Sequence, residues 1–414
     1  MRRKLIFSHL ETGAQWMLVA AFLFFPAAMA LGNIAILLSG LLGIASGVWW
    51  RHRAQWRGAA YPWLIFGLYG IVLLGGVWSS APWEDIRLNY TKYIKLLLGA
   101  VFFVLLAQPQ WRKRCLQAFS ACMLFILASV YANIWLQLPW SKTQNLGWGV
   151  DHTVIGDYIT QNIMMSFFTV LALWYCKDAP KLSLRLLAAV IALLAAVGIT
   201  QLSLGRTGYV LLILGISSFV FFALKGYRRW LALLVIVGSV GGAYSLSHTA
   251  QERVHLAISE ARNSEKMEIT SIGGRINFWK HTWELVSQKP VTGWGTGSYH
   301  EQWCNYVTEP GWCEFGSRHP HNQYLLFWME NGLLGMLLFV GLLVVLAHSV
   351  WSNDHWRPLV LSFIVILATN SLINVSLWSS RESHFFTMML CLLAAQAYFG
   401  ARETQVVVPQ KDVM

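Results

Sequence analysis

Apolar runs of about 20 residues recur along this chain and set the class of fold that it can adopt. One such run crosses the ~30 Å hydrocarbon core of a bilayer as a single helix. The chain has 414 residues, of which 56% are hydrophobic and only 12% are charged. Soluble domains carry about 25% charged residues, so this chain lacks the charge to cover a water-facing surface. We therefore predict an all-α, polytopic integral membrane protein.

Twelve membrane spans are predicted, and one large polar loop separates the first nine from the last three. The predicted spans are 15–30, 32–49, 61–78, 92–107, 116–138, 155–176, 184–201, 208–224, 230–247, 322–348, 358–377 and 384–400. The chain then divides into a transmembrane part at 1–247, a loop domain at 248–321, and a second transmembrane part with a tail at 322–414. In the first part, Pro26 and Gly32 could instead mark one kinked span, since proline is tolerated in membrane helices.

Lysine and arginine are distributed unevenly between alternate polar gaps. Seven segments on one side of the predicted spans carry 18 of them, whereas four short gaps on the other side carry 6. By the positive-inside rule both termini are cytoplasmic and segment 248–321 lies outside. The net charge of +12 follows from this bias, so no nucleic-acid partner is needed to explain it. Ala28-Met29-Ala30 also fits a signal-peptide cleavage site, but the many spans that follow favour retention.

The six cysteines fit this topology. Cys304 and Cys313 both lie in the external loop, where an oxidising compartment would permit a disulfide. Two free thiols are the alternative, because spacing alone does not reveal connectivity. The other four lie in or beside apolar spans and are most simply small core residues.

The external loop is about 70 residues long, and loops of that length are usually functional. Its composition predicts a polar surface helix at 250–269, a break at Gly273-Gly274, an amphipathic helix from Arg275 to Gln288, a glycine-rich turn at 293–299 and irregular structure at 300–320.

Four polar residues cluster where this loop meets the tenth predicted span: Arg318, His319, His321 and Asn322. A histidine near pKa 6.5 can serve as a general base. A histidine pair could also hold a metal, but no nearby cysteine or carboxylate completes such a site, so we expect no metal and no cofactor. The simpler interpretation is that both imidazoles lie at the membrane interface while Asn322 caps the helix.

Arg206 and Arg275 are both predicted on the external side. A guanidinium offers a planar fork that matches phosphate oxygens. Snorkelling to the interface would also explain Arg206, and a plain surface position would also explain Arg275.

Three acidic residues are further candidates for a functional role. Glu84 and Asp85 could bind Mg²⁺ for glycosyl transfer, or could belong to a solvated loop. Glu330 falls inside the tenth span, where an acid is a functional candidate unless an internal hydrogen bond accounts for it.

Several motifs together resemble the O-antigen ligase and O-antigen polymerase family of Gram-negative inner membranes. The resemblance rests on Leu204-Gly-Arg-Thr-Gly208, Gly274-Arg275, Lys289-Pro-Val-Thr-Gly-Trp-Gly-Thr-Gly-Ser298, His319-Pro-His-Asn-Gln-Tyr-Leu325 and Glu330-Asn-Gly-Leu-Leu-Gly335. The length, the single large loop and its tryptophans favour a ligase over a polymerase. A protein O-oligosaccharyltransferase is a further alternative within glycosyl transfer. A lipid-linked glycan flippase is less favoured, because it would need polar residues around a central cavity and internal repeats, whereas these spans hold few charges and show no evident repeat.

The resemblance implies metal-independent, inverting transfer of a glycan from undecaprenyl diphosphate to lipid A–core at the periplasmic face of the membrane. His321 would be the general base. Arg206 and Arg275 would bind the diphosphate and stabilise the leaving group, while Arg318, His319 and Asn322 would support substrate binding. Both substrates are lipids, so membrane lipids surround the site.

Overall fold

The computed structural model describes residues 2–246, 248–264, 270–308, 311–316 and 318–407. Within them every regular element is an α-helix. The helices are α1 (Arg2–Phe24), α2 (Met29–Ala45), α3 (Val48–Arg51), α4 (Arg53–Trp56), α5 (Ala60–Gly75), α6 (Trp83–Leu105), α7 (Pro109–Ala132), α8 (Tyr158–Asp178), α9 (Leu182–Gln201), α10 (Arg206–Ala223), α11 (Tyr227–Leu246), α12 (His248–Arg262), α13 (Ser271–Gln288), α14 (Tyr299–Tyr306), α15 (Trp312–Gly316), α16 (Gln323–Ser349), α17 (Arg357–Ile373) and α18 (Ser380–Val407).

The predicted all-helical membrane class is confirmed. Seven helices of the described chain are long and apolar enough to cross a membrane: α6, α7, α8, α9, α10, α16 and α18. Three shorter apolar helices, α2, α5 and α17, accompany them. Each predicted span overlaps at least one helix, but the number of twelve spans and the external position of the loop stay predictions.

The two N-terminal helices are separate. α1 ends at Phe24 and α2 begins at Met29, so the alternative of one kinked span around Pro26 is wrong. The two helices pack closely: the Ser39 hydroxyl donates to the Ala14 carbonyl at 2.8 Å, and a Cβ at Gly32 would lie 2.8 Å from the Phe25 Cα. A small residue at this crossing lets the two backbones approach, as membrane helix pairs require.

The core of the bundle lies around α8 and α18. In the apolar segments of these helices 78% and 83% of the residues are buried, against 28% in α9 and in α10. Phe167 of α8, Phe363 of α17 and Phe385 of α18 meet in this core with ring centroids 5.4 to 6.1 Å apart. The outer helices therefore present apolar faces outward, where lipid would cover them.

The loop between α11 and α16 folds into helices of its own. The first predicted helix exists as α12, although residues 265–269 of that prediction lie outside the described residues. The predicted break at Gly273-Gly274 is wrong, because both glycines lie in the first turn of α13. That turn forms because the Thr270 hydroxyl caps it, accepting from the Gly273 N–H at 3.1 Å.

The prediction of irregular structure at 300–320 is wrong for most of its described residues, because α14 and α15 form there; residues 309, 310 and 317 lie outside the described residues. A disulfide between Cys304 and Cys313 joins the two helices, so the alternative of two free thiols is wrong. Beside it the Trp303 indole is fully buried and donates to the Trp312 carbonyl at 2.9 Å.

The glycine-rich turn attaches the loop to the bundle. The N–H groups of Trp294 and Gly295 donate to the carbonyls of Met329 and Glu330, each at 2.8 Å. These bonds meet α16 where its helical path is interrupted at Gly332, which has a φ of +68°. Only glycine adopts that conformation readily, and a Cβ there would collide with the Val291 carbonyl. The predicted tight turn is therefore a rigid joint between loop and membrane helices.

Candidate active site

His321 lies at the junction of the loop and α16. The next residue, Asn322, caps α16 by accepting from the Leu325 N–H at 3.0 Å, and its amide donates to the Leu372 carbonyl at 3.0 Å. His321 is the one non-glycine residue of the described chain with positive φ, at +51°. Strained backbone of this kind persists where surrounding contacts hold it, often at functional sites.

Two aromatic residues of α13 hold His321 in this conformation. The Trp279 indole N–H donates to the His321 carbonyl at 3.4 Å. The imidazole stacks on the Phe278 ring, with centroids 5.7 Å apart and planes 16° from parallel. The loop helix therefore orients both the backbone and the ring of this residue.

The environment of His321 keeps its imidazole neutral. Burial lowers the pKa to about 4, the positive charge of Arg275 contributes in the same direction, and a hydrogen bond with the Asn374 side chain opposes both. The Nδ1 atom is buried and has no hydrogen-bond partner. A buried, unpaired ring nitrogen on a neutral imidazole can accept a proton from a substrate hydroxyl.

His319 forms the second half of a histidine pair. Its ring meets that of His321 edge-on, with centroids 4.5 Å apart, and lies 5.0 Å from the Trp378 ring. Burial, His321 and Lys92 together hold its pKa well below the ordinary value. Its Nδ1 is also buried without a partner.

Arg275 projects from the second turn of α13 rather than from its first residue, so it does not open the helix as predicted. Its Nη1 donates to the Ser271 carbonyl at 3.2 Å and to the Ser271 hydroxyl at 3.1 Å. Its Nε is buried and unpaired. Burial lowers the pKa of the guanidinium, and the nearby charge of Arg206 lowers it further.

Arg206 is the first residue of α10. Its Nη2 donates to the Glu260 carboxylate at 3.2 Å, whereas its Nη1 is buried without a partner. The other oxygen of Glu260 accepts from the Ile272 N–H at 3.1 Å. One carboxylate of α12 thus connects the start of α10 to the start of α13, and this connection brings the two arginines together.

The two neighbouring guanidinium groups each keep one buried nitrogen without a hydrogen-bond partner. Like charges repel, and an unpaired buried donor costs about 1–3 kcal/mol. Burial is the largest cause of the lowered pKa of Arg275, and Arg206 adds to it, whereas Tyr158, Glu260 and Glu382 act in the opposite direction. An anion with several oxygens would satisfy both donors at once.

The remaining predicted residues are arranged around this centre. Arg318 is 60% exposed and lies 3.8 Å from Asp85 at the start of α6. Glu84 is exposed in the first turn of the same helix. Asn322 is engaged in capping and in its bond to α17, and its role in substrate binding stays a prediction.

Few side chains in the described part of the chain are arranged as a metal ion would require. One group there has three potential ligands within reach of a single ion, namely His300, Cys304 and Cys313. Both of its sulfur atoms form the disulfide, so this group does not fit a metal ion.

Sequence reasoning missed a buried polar group behind His321. Glu382 of α18 is 4% exposed and accepts from the amides of Asn370 at 3.1 Å and Asn374 at 2.6 Å. Asn374 in turn bonds to His321, and Glu382 lies within electrostatic reach of Arg275. The four-residue spacing of the two asparagines, with an acid shortly after, was the available signal.

Glu330, by contrast, serves the fold. It is 2% exposed, and its carboxylate accepts from the backbone N–H groups of Gly297 and Tyr299. Internal hydrogen bonds therefore account for this acid. A separate cavity of about 670 Å³ lies between the middle of α1 and the C-terminal parts of α6 and α18, and none of the candidate residues lines it.

Two comparisons bear on identity. A protein of Haemophilus influenzae, described only as uncharacterized, is 23% identical over 222 residues, which cover 49% of this chain and 55% of that protein. The chain therefore matches about half the length of this curated relative. A family model described as O-antigen ligase matches residues 187–340, a range that contains Arg206, Arg275, His319 and His321. The match over these residues supports membership of the O-antigen ligase family.

Proposed function

We propose that this protein ligates O-antigen from undecaprenyl diphosphate onto lipid A–core, by a metal-independent reaction that inverts the anomeric centre. The family suggests glycosyl transfer of the ligase or polymerase type. One observation carries the finer proposal: the unpaired imidazole nitrogen of His321 lies within electrostatic reach of Arg275, which is itself close to Arg206, and each arginine keeps a buried N–H unsatisfied.

The donor would bind through its diphosphate. Arg206 and Arg275 come from different helices, so their guanidinium groups can contact different oxygens of the diphosphate. The negative charge would remove the mutual repulsion of the two arginines. The free energy of that neutralisation would favour the donor over an uncharged glycolipid.

His321 would activate the acceptor. Its Nδ1 takes the proton from a sugar hydroxyl while the oxygen attacks the anomeric carbon of the donor. A new C–O bond forms on one face of that carbon, and the C–O bond to the diphosphate breaks on the other. The bonding electron pair leaves with undecaprenyl diphosphate, and the His321 proton then passes to solvent. Attack opposite the leaving group inverts the anomeric configuration.

The leaving group needs no general acid, because a diphosphate is a stable anion. The two arginines would stabilise the charge that develops on it, the role that a metal ion fills in other transferases. Asn374 and Glu382 would hold the imidazole from behind. The residues of the site thus supply both a base and leaving-group stabilisation.

The lipids that accumulate in a deletion strain test the proposal. Full-length polymer on undecaprenyl diphosphate together with bare lipid A–core supports the ligase. Single repeat units on the carrier would instead indicate a polymerase, and glycan retained on the cytoplasmic face a flippase. Complete lipopolysaccharide with unglycosylated target proteins would indicate a protein O-oligosaccharyltransferase.

A further inference from the structure

Two lysines of α6 lie inside a helix that is long and apolar enough to span a membrane. Lys92 and Lys95 follow the helix start at Trp83 by nine and twelve residues, which places them about 13 and 18 Å along its axis. They are one turn apart and share a face of the helix. An ammonium group within a span is costly to bury, and such residues usually bind a ligand or an ion.

Neither lysine has a carboxylate partner among the ion pairs of the described residues. Lys92 donates to the Ser380 hydroxyl at 3.0 Å and lies over the Trp378 ring, 4.5 Å from its centroid. Lys95 donates to the Ser383 hydroxyl and lies 3.5 Å from the His384 Nδ1. Neutral hydroxyls leave both positive charges uncompensated.

Lys92 lies near the histidine pair, and Lys95 lies one turn further along α6. Lys92 acts electrostatically on His319 and Arg318, whereas Arg275 acts on His321. Trp378 contacts both Lys92 and His319. Each histidine therefore has its own cationic neighbours. Those of His321 are Arg275 and, beyond it, Arg206, here called the arginine site. On the side of His319 lies a group of Lys92, Lys95 and Arg318, here called the lysine site.

The lysine site borders the lipid-facing surface of the bundle. The Nε2 of His384 lies 2.5 Å from the side-chain oxygen of Asn33 on α2, and Asn33 is exposed. Leu31 and Ile34 beside it are exposed at 50% and 54%. Arg381 also lies near His384, but its guanidinium already donates to the carbonyls of Pro26 and Ala27 at 3.0 and 3.2 Å. An anion that reaches the two lysines from this side would be carried on a lipid.

We propose that the lysine site binds a phosphate group on the acceptor glycolipid, while the arginine site binds the donor diphosphate. This inference rests on the proposed function. A lysine ammonium binds phosphate as a point charge, and the two lysines together would match the charge of one phosphate dianion. Binding there would leave an acceptor hydroxyl near the histidine pair, between the two anion sites.

The test uses purified full-length protein in neutral phosphatidylcholine vesicles. The variants are Lys92→Gln, Lys95→Gln and the double variant, with Arg87→Gln as matched control, since Arg87 is an exposed cation of the same helix. We expect the double variant to raise the KM for lipid A–core at least ten-fold, with the KM for the donor unchanged. With lipid A–core dephosphorylated by hydrofluoric acid, wild type and double variant should have equal KM values.

Three results would overturn the inference. A raised KM for the donor would mean that the lysines bind the diphosphate. An equal rise in KM for phosphorylated and dephosphorylated lipid A–core would mean that the lysines only stabilise the fold. Competition by added phosphatidylglycerol would assign the site to bulk anionic lipid.

Binding without donor, measured by microscale thermophoresis, separates this inference from the proposed function. His321→Ala should bind phosphorylated lipid A–core like the wild type, whereas the double lysine variant should bind it weakly. Lys92→Arg, which keeps the positive charge, should bind phosphorylated lipid A–core like the wild type. A thermal-unfolding midpoint equal to that of the wild type would show that each variant folds. Weak binding by a folded Lys92→Arg variant would contradict a charge-based site.

Discussion

The guanidinium of Arg275 lies close enough to the imidazole of His321 to lower its pKa, although the two residues come from different helical segments. Burial of the imidazole is the larger cause, and burial and the charge of Arg275 together lower the pKa of His321 to about 4. The base of the proposed reaction is therefore neutral at physiological pH but weak. Its basicity depends on what neutralises the arginine beside it.

This relationship predicts different pH profiles for kcat/KM and kcat. In the free enzyme His321 becomes protonated only near pH 4, so kcat/KM should stay level on the acid side until about that pH. Bound diphosphate would offset the charge of Arg275 and raise the pKa of His321, so the acid limb of kcat should lie at higher pH. Transfer rates at limiting and saturating donor measure both limbs. An acid limb of kcat at equal or lower pH would contradict the coupling.

The same lowered pKa has a consequence for stability. The folded site keeps His321 neutral, while the unfolded chain binds its proton near pH 6.5. The free energy of unfolding should therefore fall as the pH drops from 6.5 towards 4, since the unfolded state binds more protons in that window. Thermal unfolding at several pH values should show a smaller decline for His321→Ala than for the wild type.

Replacement of His321 by alanine should abolish the base without unfolding the site. We expect His321→Ala to reduce transfer to lipid A–core by roughly 10²–10⁴-fold, the usual contribution of general-base catalysis. His319→Ala should reduce it less, because His319 is the neighbour and not the base in this proposal. Transfer is measured with the purified variants. The control is His255→Ala, an exposed histidine of α12. Normal transfer by His321→Ala would contradict the assignment of His321 as the general base.

Arginine should not be replaceable by lysine in the arginine site. Arg206→Lys and Arg275→Lys keep the charge but lose the planar fork that holds two oxygens, so kcat/KM for the donor should fall about ten-fold or more in each. Steady-state kinetics with varied donor measure this. Arg262→Lys, an exposed position of α12, serves as control. Full activity in both site variants would mean that charge alone matters.

Chelation should leave transfer intact. The arginine site is proposed to stabilise the leaving group, so EDTA should not change the rate of the purified enzyme. The measurement compares transfer before and after chelation, followed by added Mg²⁺. Loss of activity that Mg²⁺ restores would favour Glu84 and Asp85 as metal ligands.

The disulfide should stabilise the loop that carries the site. Cys304 and Cys313 join α14 to α15, and closing so short a loop contributes roughly 2–3 kcal/mol. The double serine variant should therefore unfold at lower temperature than the wild type, and a reductant should lower only the wild-type midpoint. Cys176→Ser, at a free cysteine, is the control. Equal midpoints would show that packing around Trp303 suffices.

The start of α16 was predictable, because Asn322 provides a capping side chain directly before an apolar run, and local signals of this kind need no distant contact. The start of α13 was not predictable. Two adjacent glycines suggest a break in a helix unless it is known that Thr270 caps the turn that contains them. The partnership of Arg206 with Glu260 likewise joins segments far apart in sequence.

The sequence by itself determined the helical membrane class and the candidate residues His321, Arg206 and Arg275. Apolar run length and residue chemistry are local properties, and they are readable without a fold. The tertiary structure alone decided that the two arginines lie within electrostatic reach of each other, that Asn374 and Glu382 lie behind the imidazole of His321, and that Lys92 lies near His319. Those relations arise from packing between distant helices, and single-sequence periodicity carries no information about which helix faces which.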